Sequence, residues 1–364
     1  MTQPSIAGTI RLTRPRSTDG VSATSSYSAL MKTVRDAGLL KRTVGFYVGV
    51  LIVLTVALAA AIAGSILLGD SWFQLLIAGA IGVIMTQFAF VTHEISHRQV
   101  FASGPVNDRV GLWLAAGMVG ISYSWWMTKH TKHHANPNTI GKDPDIEIDT
   151  ISFIEEDAAT RTGFMAALTR RQGYLFFPLL LLEGLNLHIV SLRELITNPK
   201  ITGRIGEITI IAVRLVAYAA VIFWFLPLGM GFAFIGVQLA VFGLYMGASF
   251  APNHKGMPLI AEGVKIDFLS RQVLTSRNVS GFGMSTFMGG LNYQIEHHLF
   301  PSMPRPHLAA AREIVIEHCA TRNIPYTETT LLRSYGAVIQ YLNRVGLSAR
   351  DPFDCPMVNR YRRQ

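Results

Sequence analysis

The stretch VGFYVGVLIVLTVALAAAIAGSILLGDSWFQLLIAGAIGVIMTQFAFVTHEISH, residues 44–97, decides the fold. No charged residue occurs from Thr43 to Gly69 or from Ser71 to Thr92, and Asp70 alone separates the two runs. A membrane crossing takes about 20 helical residues, so the stretch predicts a hairpin, roughly 44–68 with 72–92. It closes on a polar turn that carries two histidines. The uncharged run from Leu215 to Asn253, broken at Pro227-Leu228-Gly229, predicts a second hairpin, 209–226 with 231–252. With 50% hydrophobic and only 15% charged residues, and a mean hydropathy of +0.33, the whole chain falls in the membrane class.

Two further apolar stretches do not add spans in this reading. Residues 110–128 are uncharged, but three glycines and the pair Trp125-Trp126 suit a re-entrant or interfacial segment. Residues 173–190 contain Pro178 and Glu183 and read as a surface helix. The net charge of +9 is concentrated before the first span (Arg11, Arg14, Arg16, Lys32, Arg35, Lys41, Arg42) and in the tail (Arg360, Arg362, Arg363), while both hairpin turns lack Lys and Arg. Under the positive-inside rule both termini and the central segment are cytoplasmic. No basic groove with interleaved aromatics appears, which argues against nucleic acid as a partner. Cys319 and Cys355 fall on the reducing side, so no disulfide is expected. The first 25 or so residues, rich in Ser, Thr and Pro, read as a mobile arm.

Three histidine clusters lie outside the predicted spans: His93-Glu94-Ile95-Ser96-His97, His130-Thr131-Lys132-His133-His134, and Gln294-Ile295-Glu296-His297-His298. Helical residues three and four apart share a face, so each cluster can aim its imidazoles at one point. Seven such histidines exceed what one metal holds, since a zinc site takes four protein ligands at most. The economical reading is a two-metal centre at the membrane surface. The first cluster also matches the H-E-x-x-H signature of zinc proteases. A protease would leave five histidines unexplained, and no later span offers an acidic ligand, Glu207 falling just before the third. A transporter would place its polar ligands near the bilayer midplane instead.

HEISH, HTKHH and QIEHH, the last followed by LFPSMPR, resemble the three histidine boxes of the membrane-bound fatty acid desaturases, and QIEHH is similar to the acyl-CoA and front-end branch. The resemblance spans roughly residues 40–345. It implies an all-α integral-membrane fold, four transmembrane helices in two hairpins under a cytoplasmic helical cap holding a di-metal site of two iron ions. It also implies an O₂-dependent enzyme that uses two electrons to introduce a double bond into an acyl chain, carried by acyl-CoA or an acyl lipid. Oxygen chemistry needs a redox metal, which zinc is not, and imidazole suits iron. By match to the boxes, His93, His97, His130, His133, His134, His297 and His298 are the expected ligands. His254, closing the fourth span, is expected as one more. Gln294 stands where other branches hold His and is expected as a ligand or an outer partner. Asn253, adjacent to His254 and turned by about 100° on a helix, is not expected on the same metal.

Trp125 and Trp126 read as headgroup-level anchors at a substrate entrance. His188 reads as structural, and His307 and His318 as surface residues of a helix near 307–322. Glu94 and Glu296 are candidates for orienting ligands. The expected division is an N-terminal arm over 1–42, a membrane desaturase domain over 43–345 and a tail over 346–364. The expected location is the plasma membrane of a bacterium, multi-pass. No electron-carrying domain is legible: the chain has no dinucleotide fingerprint, no haem motif and too few cysteines for a four-cysteine cluster. A separate donor, a ferredoxin-type carrier with its reductase, is expected to dock on cap basic residues including Arg305, Arg312 and the Arg360–Arg363 tail. The alternatives are a related hydroxylase or ketolase and, further off, the zinc protease.

Overall fold

The computed structural model describes residues 11–12 and 23–349; Cys355, the basic tail and the rest of residues 350–364 lie outside them. The helices in chain order are α1 (Ala23–Asp36), α2 (Val44–Leu68), α3 (Gln74–Ser96), α4 (Gly104–Leu112), a π-helix (Trp113–Val119), α5 (Tyr123–Ala135), α6 (Glu155–Ala159), α7 (Gly163–Thr169), α8 (Gln172–Thr197), α9 (Arg204–Phe225), α10 (Leu228–His254), α11 (Phe268–Leu274), α12 (Met284–Phe287), α13 (Gln294–Leu299), α14 (Leu308–Thr321) and α15 (Leu331–Leu347). Four short strands join them in two parallel pairs. β1 (Arg11–Leu12) pairs with β2 (Leu259–Ile260), and β3 (Asn278–Ser280) with β4 (Glu328–Thr330).

The two predicted hairpins are present as α2–α3 and α9–α10. Helix α2 buries only Tyr47, Leu54 and Ala61, one residue every two turns. Most of its remaining surface, Ile52, Val53, Val56, Ile62 and Ile66 among it, is exposed. An all-round apolar helix with one thin buried seam is built for lipid rather than water. The α2 seam packs on α3, and α3 in turn packs on α10 through a core that includes Ile81, Met85, Phe88, Phe234 and Phe242.

Among the described residues five helices, not four, are long and apolar enough to cross a membrane. The fifth is α8, where the sequence predicts a surface helix. Pro178 lies inside it without ending it. A Cβ on Gly184 would sit 2.1 Å from the Leu239 carbonyl, and one on Gly243 would sit 2.2 Å from the Gly184 nitrogen. Two glycines thus let α8 and α10 cross backbone against backbone, a contact that any side chain at either position would separate.

Residues 110–128 form no single span. They divide into the end of α4, the π-helix and the start of α5, with Gly120 at φ +94° reversing the chain between the last two. The left-handed backbone at this break is one that glycine adopts freely. The expectation of a wholly mobile N-terminal arm is corrected at residues 11–12. Arg11 and Leu12 pair with β2, and Arg11 forks onto both carboxylate oxygens of Glu156 at 2.7 and 2.6 Å. Helices α1, α11, α13 and α14 enclose a separate cap core that includes Leu30, Val34, Leu269, Leu299 and Val315.

Candidate metal centre

Four helices deliver the histidines. The last turn of α3 supplies His93 and its C-cap His97, α5 supplies His130, His133 and His134, the last residue of α10 is His254, and α13 supplies His297 and His298. They gather into two groups. Ring nitrogens of His93, His97, His130, His134 and His297 all lie within 4.8 Å of one another, and so do those of His133, His254 and His298. Helix geometry permits the division: His133 and His134 are adjacent and diverge by about 100°, and so do His297 and His298.

The donor set fits metal ions. Two nitrogens bound at right angles to one ion, each about 2.1 Å away, would be about 3.0 Å apart. Here Nε2 of His130 lies 3.0 Å from Nε2 of His93 and 2.8 Å from that of His97; His297 and His134 stand 3.1 Å apart, and His133 and His254 3.3 Å. One hydrogen can bridge one such pair, yet His130 faces two partners at once. A shared cation satisfies them all. The buried Nε2 of His298 points into the second group with no hydrogen-bond partner among the described residues.

In the second group every outer ring nitrogen is held. Nδ1 of His133 lies 3.0 Å from an Asp143 oxygen, Nδ1 of His254 lies 2.9 Å from the Thr275 carbonyl, and Nδ1 of His298 lies 2.9 Å from Gln272 Oε1. Each of those oxygens accepts a hydrogen bond from Nδ1–H, which keeps the proton on Nδ1 and aims the Nε2 lone pair inward. Gln294 completes the group, its amide nitrogen 2.9 Å from His254 Nε2 and its oxygen accepting from Asn253 Nδ2 at 3.0 Å. Asn253 therefore touches Gln294 rather than the histidines.

Charge separates His133 from the rings around it. Burial, with neighbouring imidazoles adding to it, holds His130, His134, His297 and His298 well below the usual histidine range, and brings His97 down to about 3. These rings are neutral at physiological pH, the state a metal ligand requires. Burial also pulls on His133, but the carboxylates of Asp143 and Asp145 more than offset it and raise it. Asp143→Ala should accordingly weaken metal binding about 10–100-fold while the chain still folds; metal titration of the purified variant, with wild-type affinity as the contrary outcome, checks this.

Beside His93 opens a narrow apolar pocket of about 50 Å³, lined by Ala89, Val119, Trp125, Trp126, Met246 and Phe250 among others. Both tryptophans thus line the pocket next to the first group, where Trp126 stacks on His130 with ring centroids 4.6 Å apart. The π-helix forms one wall. Its terminal carbonyls are satisfied by side chains from the membrane helices: Arg214 Nε donates to Met118 O at 3.1 Å, and His188 Nε2 lies 3.2 Å from Val119 O. His188 thus lies against two backbone carbonyls and belongs to neither histidine group.

The two box glutamates lie outside both histidine groups. Glu94 receives Arg305 Nε at 2.8 Å and pairs with Arg305 Nη2 as well, and the Tyr47 hydroxyl donates to it at 3.2 Å. Arg305 is buried, so its expected role as a docking residue on the cap surface is corrected. Arg312 is engaged by both oxygens of Glu328. Glu296 accepts from Asn278 at 2.7 Å and Tyr326 at 2.8 Å, and burial pushes it up to about 7 despite them. His307 and His318 are half-buried rather than surface residues. The first faces the Leu39 carbonyl at 2.7 Å and the second the Ser26 hydroxyl at 3.1 Å. Asp143, Gln272 and Asn278 were not singled out from sequence. Only Asp143, ten residues after His133 in a Pro-flanked turn, carried any local signal.

The sequence model of the family described as fatty acid desaturase matches residues 70–330. Among curated proteins, the chain is 26% identical to a Delta(8)-fatty-acid desaturase of Helianthus annuus, over 89% of this chain and 74% of that one. It is 30% identical to a Delta(6)-fatty-acid desaturase of Caenorhabditis elegans, over 71% and 62%. It is 27% identical to an acyl-lipid (9-3)-desaturase of Borago officinalis, over 74% and 63%. For the last two, the chain spans somewhat less than two thirds of the relative's length.

Proposed function

This chain belongs to the fatty acid desaturase family, so its reaction is the desaturation of fatty acyl chains, and we propose that it works with two iron ions held by the two histidine groups. The observation that carries this reading is the convergence of eight imidazoles into groups of five and three. His93, His97, His130, His134 and His297 would hold one ion; His133, His254 and His298 would hold the other. Iron supplies the oxygen-activating redox chemistry when bound. Gln294 can join the second group if its amide turns over, since the oxygen and nitrogen of an amide exchange places without moving the chain. Asn253 Oδ1, buried and without a partner among the described residues, would then be free to take the displaced N–H once its own amide turns.

The remaining residues position and exclude. The acyl chain of an acyl-CoA or acyl lipid lies in the apolar pocket, with His93 and Trp126 beside the methylenes that react. Trp125 and Trp126 close that pocket against water. Asp143, Gln272 and the Thr275 carbonyl hold the inner rings in one orientation, so the geometry is set before substrate arrives. Electrons come from a separate carrier and its reductase. Purified protein given acyl substrate, O₂, NAD(P)H, carrier and reductase should yield a product lighter by two hydrogens, and omission of the carrier should abolish turnover. A product heavier by one oxygen would make the protein a hydroxylase, and stoichiometric zinc in active protein would overturn the iron assignment.

Shared histidines constrain the topology. Helices α3 and α10 both end at the same centre, so an even number of crossings separates those ends. α9 and α10 supply two; a crossing by α8 would make three and carry His254 to the opposite face. We therefore read α2, α3, α9 and α10 as the spans, and α8 as a helix packed against them that does not cross. Both termini then share the side of the histidines, the cytoplasm by the distribution of Lys and Arg. A cysteine at the exposed Lys142 should react with an impermeant thiol reagent only after the membrane is opened. Ready labelling of intact cells would refute the arrangement.

A further inference from the structure

Residues 281–288, just ahead of the third histidine box, hold an irregular turn and the one-turn helix α12 against the sides of α3 and α10. Gln87 Nε2 donates to the Thr286 carbonyl at 3.2 Å and to the Tyr245 hydroxyl at 2.7 Å, and that hydroxyl donates to the Phe287 carbonyl at 2.6 Å. Phe90 packs on Gly289, whose Cβ would sit 2.5 Å from the ring, at φ +58°. The segment is therefore fixed to the two helices at the level of Gln87 and Tyr245.

That level is deep. Gln87 precedes His93 by six helical residues, about 9 Å, and Tyr245 precedes His254 by nine, about 14 Å. Exposed Trp72 and Phe73 mark the far end of α3, and a hydrocarbon core about 30 Å thick measured from there ends near residue 93. Thr286 and Phe287 thus sit inside the apolar layer. Non-helical backbone survives there only where its carbonyls find partners within the protein, and Gln87 and Tyr245 are those partners. Toward the outside the segment presents Phe282, fully exposed, and part of Phe287. These rings continue the lipid-facing belt of the neighbouring helices.

We propose that residues 281–288 form a wedge inserted among the lipid acyl chains of the leaflet on the histidine side, with Phe282 as its tip. The wedge leads through Gly289 and Gly290 into the 3-10 turn before α13, so it pins the third box at a fixed depth. Placing p-benzoylphenylalanine at position 282 of the full chain, in native membranes, reads this directly. Irradiation should attach phospholipid at 282 about tenfold more than at the exposed cap position Glu317, as expected for a site within hydrocarbon. A yield no higher than at Glu317, or crosslinks to a protein or a second copy in place of lipid, overturns the inference. Phe282→Trp, reconstituted in phosphatidylcholine vesicles brominated on the acyl chains, supplies an independent reading. The added fluorescence should be quenched by the bromines and not by iodide, and the reverse pattern would place position 282 in water.

Discussion

His297→Ala with His298→Ala should abolish the double-bond product and remove bound metal altogether. The two residues are neighbours in sequence yet belong to different histidine groups, so one dipeptide substitution opens both. The loss should exceed the 10–100-fold typical of outer partners, since each change deletes a direct donor. The single variants separate the sites: His297→Ala should retain metal only in the group of three, and His298→Ala only in the group of five. Lipid profiling of expressing cells with elemental analysis of the purified variants measures both. Product at wild-type level from the double variant would sink the di-metal reading.

Arg305→Ala should be the most destabilising single change in the cap. It would leave the Glu94 carboxylate buried with only Tyr47 as a close donor, and breaking a buried ion pair on one side costs about 3–5 kcal/mol. Arg305 also donates its backbone N–H to the Tyr47 hydroxyl at 3.0 Å, so the pair ties α2 and α3 to the residues after the third box. Removing both charges, with Glu94→Gln and Arg305→Met together, should recover much of the loss, because it is the unpaired charge that costs most. Thermal unfolding of the four chains in detergent gives the cycle, and additive single effects would show that the pair is not coupled.

Much of this was legible because it repeats locally. The spans announce themselves as uncharged runs, and HEISH, HTKHH and QIEHH carry the spacing that puts imidazoles on one helical face. His254 was expected at the centre only through the family resemblance, and it lies with His133 and His298. What escaped depends on distant partners. Arg305 reads as a surface cation until Glu94, 211 residues earlier, is seen beside it. Gln272 and Asn278 look like ordinary polar residues until α13 is packed against them. Helix α8 was read from sequence as a surface helix, but its close packing on α10 escaped, because it rests on Gly184 meeting Gly243, a contact that leaves no periodic trace.

The Glu94–Arg305 pair also sets a schedule. A ribosome adds roughly 5–20 residues per second, so about 10–40 s pass between synthesis of the carboxylate and of its cation, given the 211-residue gap. Throughout that interval the first hairpin can be inserted in the bilayer, but the end of α3 must remain hydrated, because the cation that pairs with Glu94 does not yet exist. The histidines of the first two boxes wait with it. Assembly of the centre is therefore post-insertional, and a nascent chain arrested before residue 305 should hold its hairpins without closing its cap.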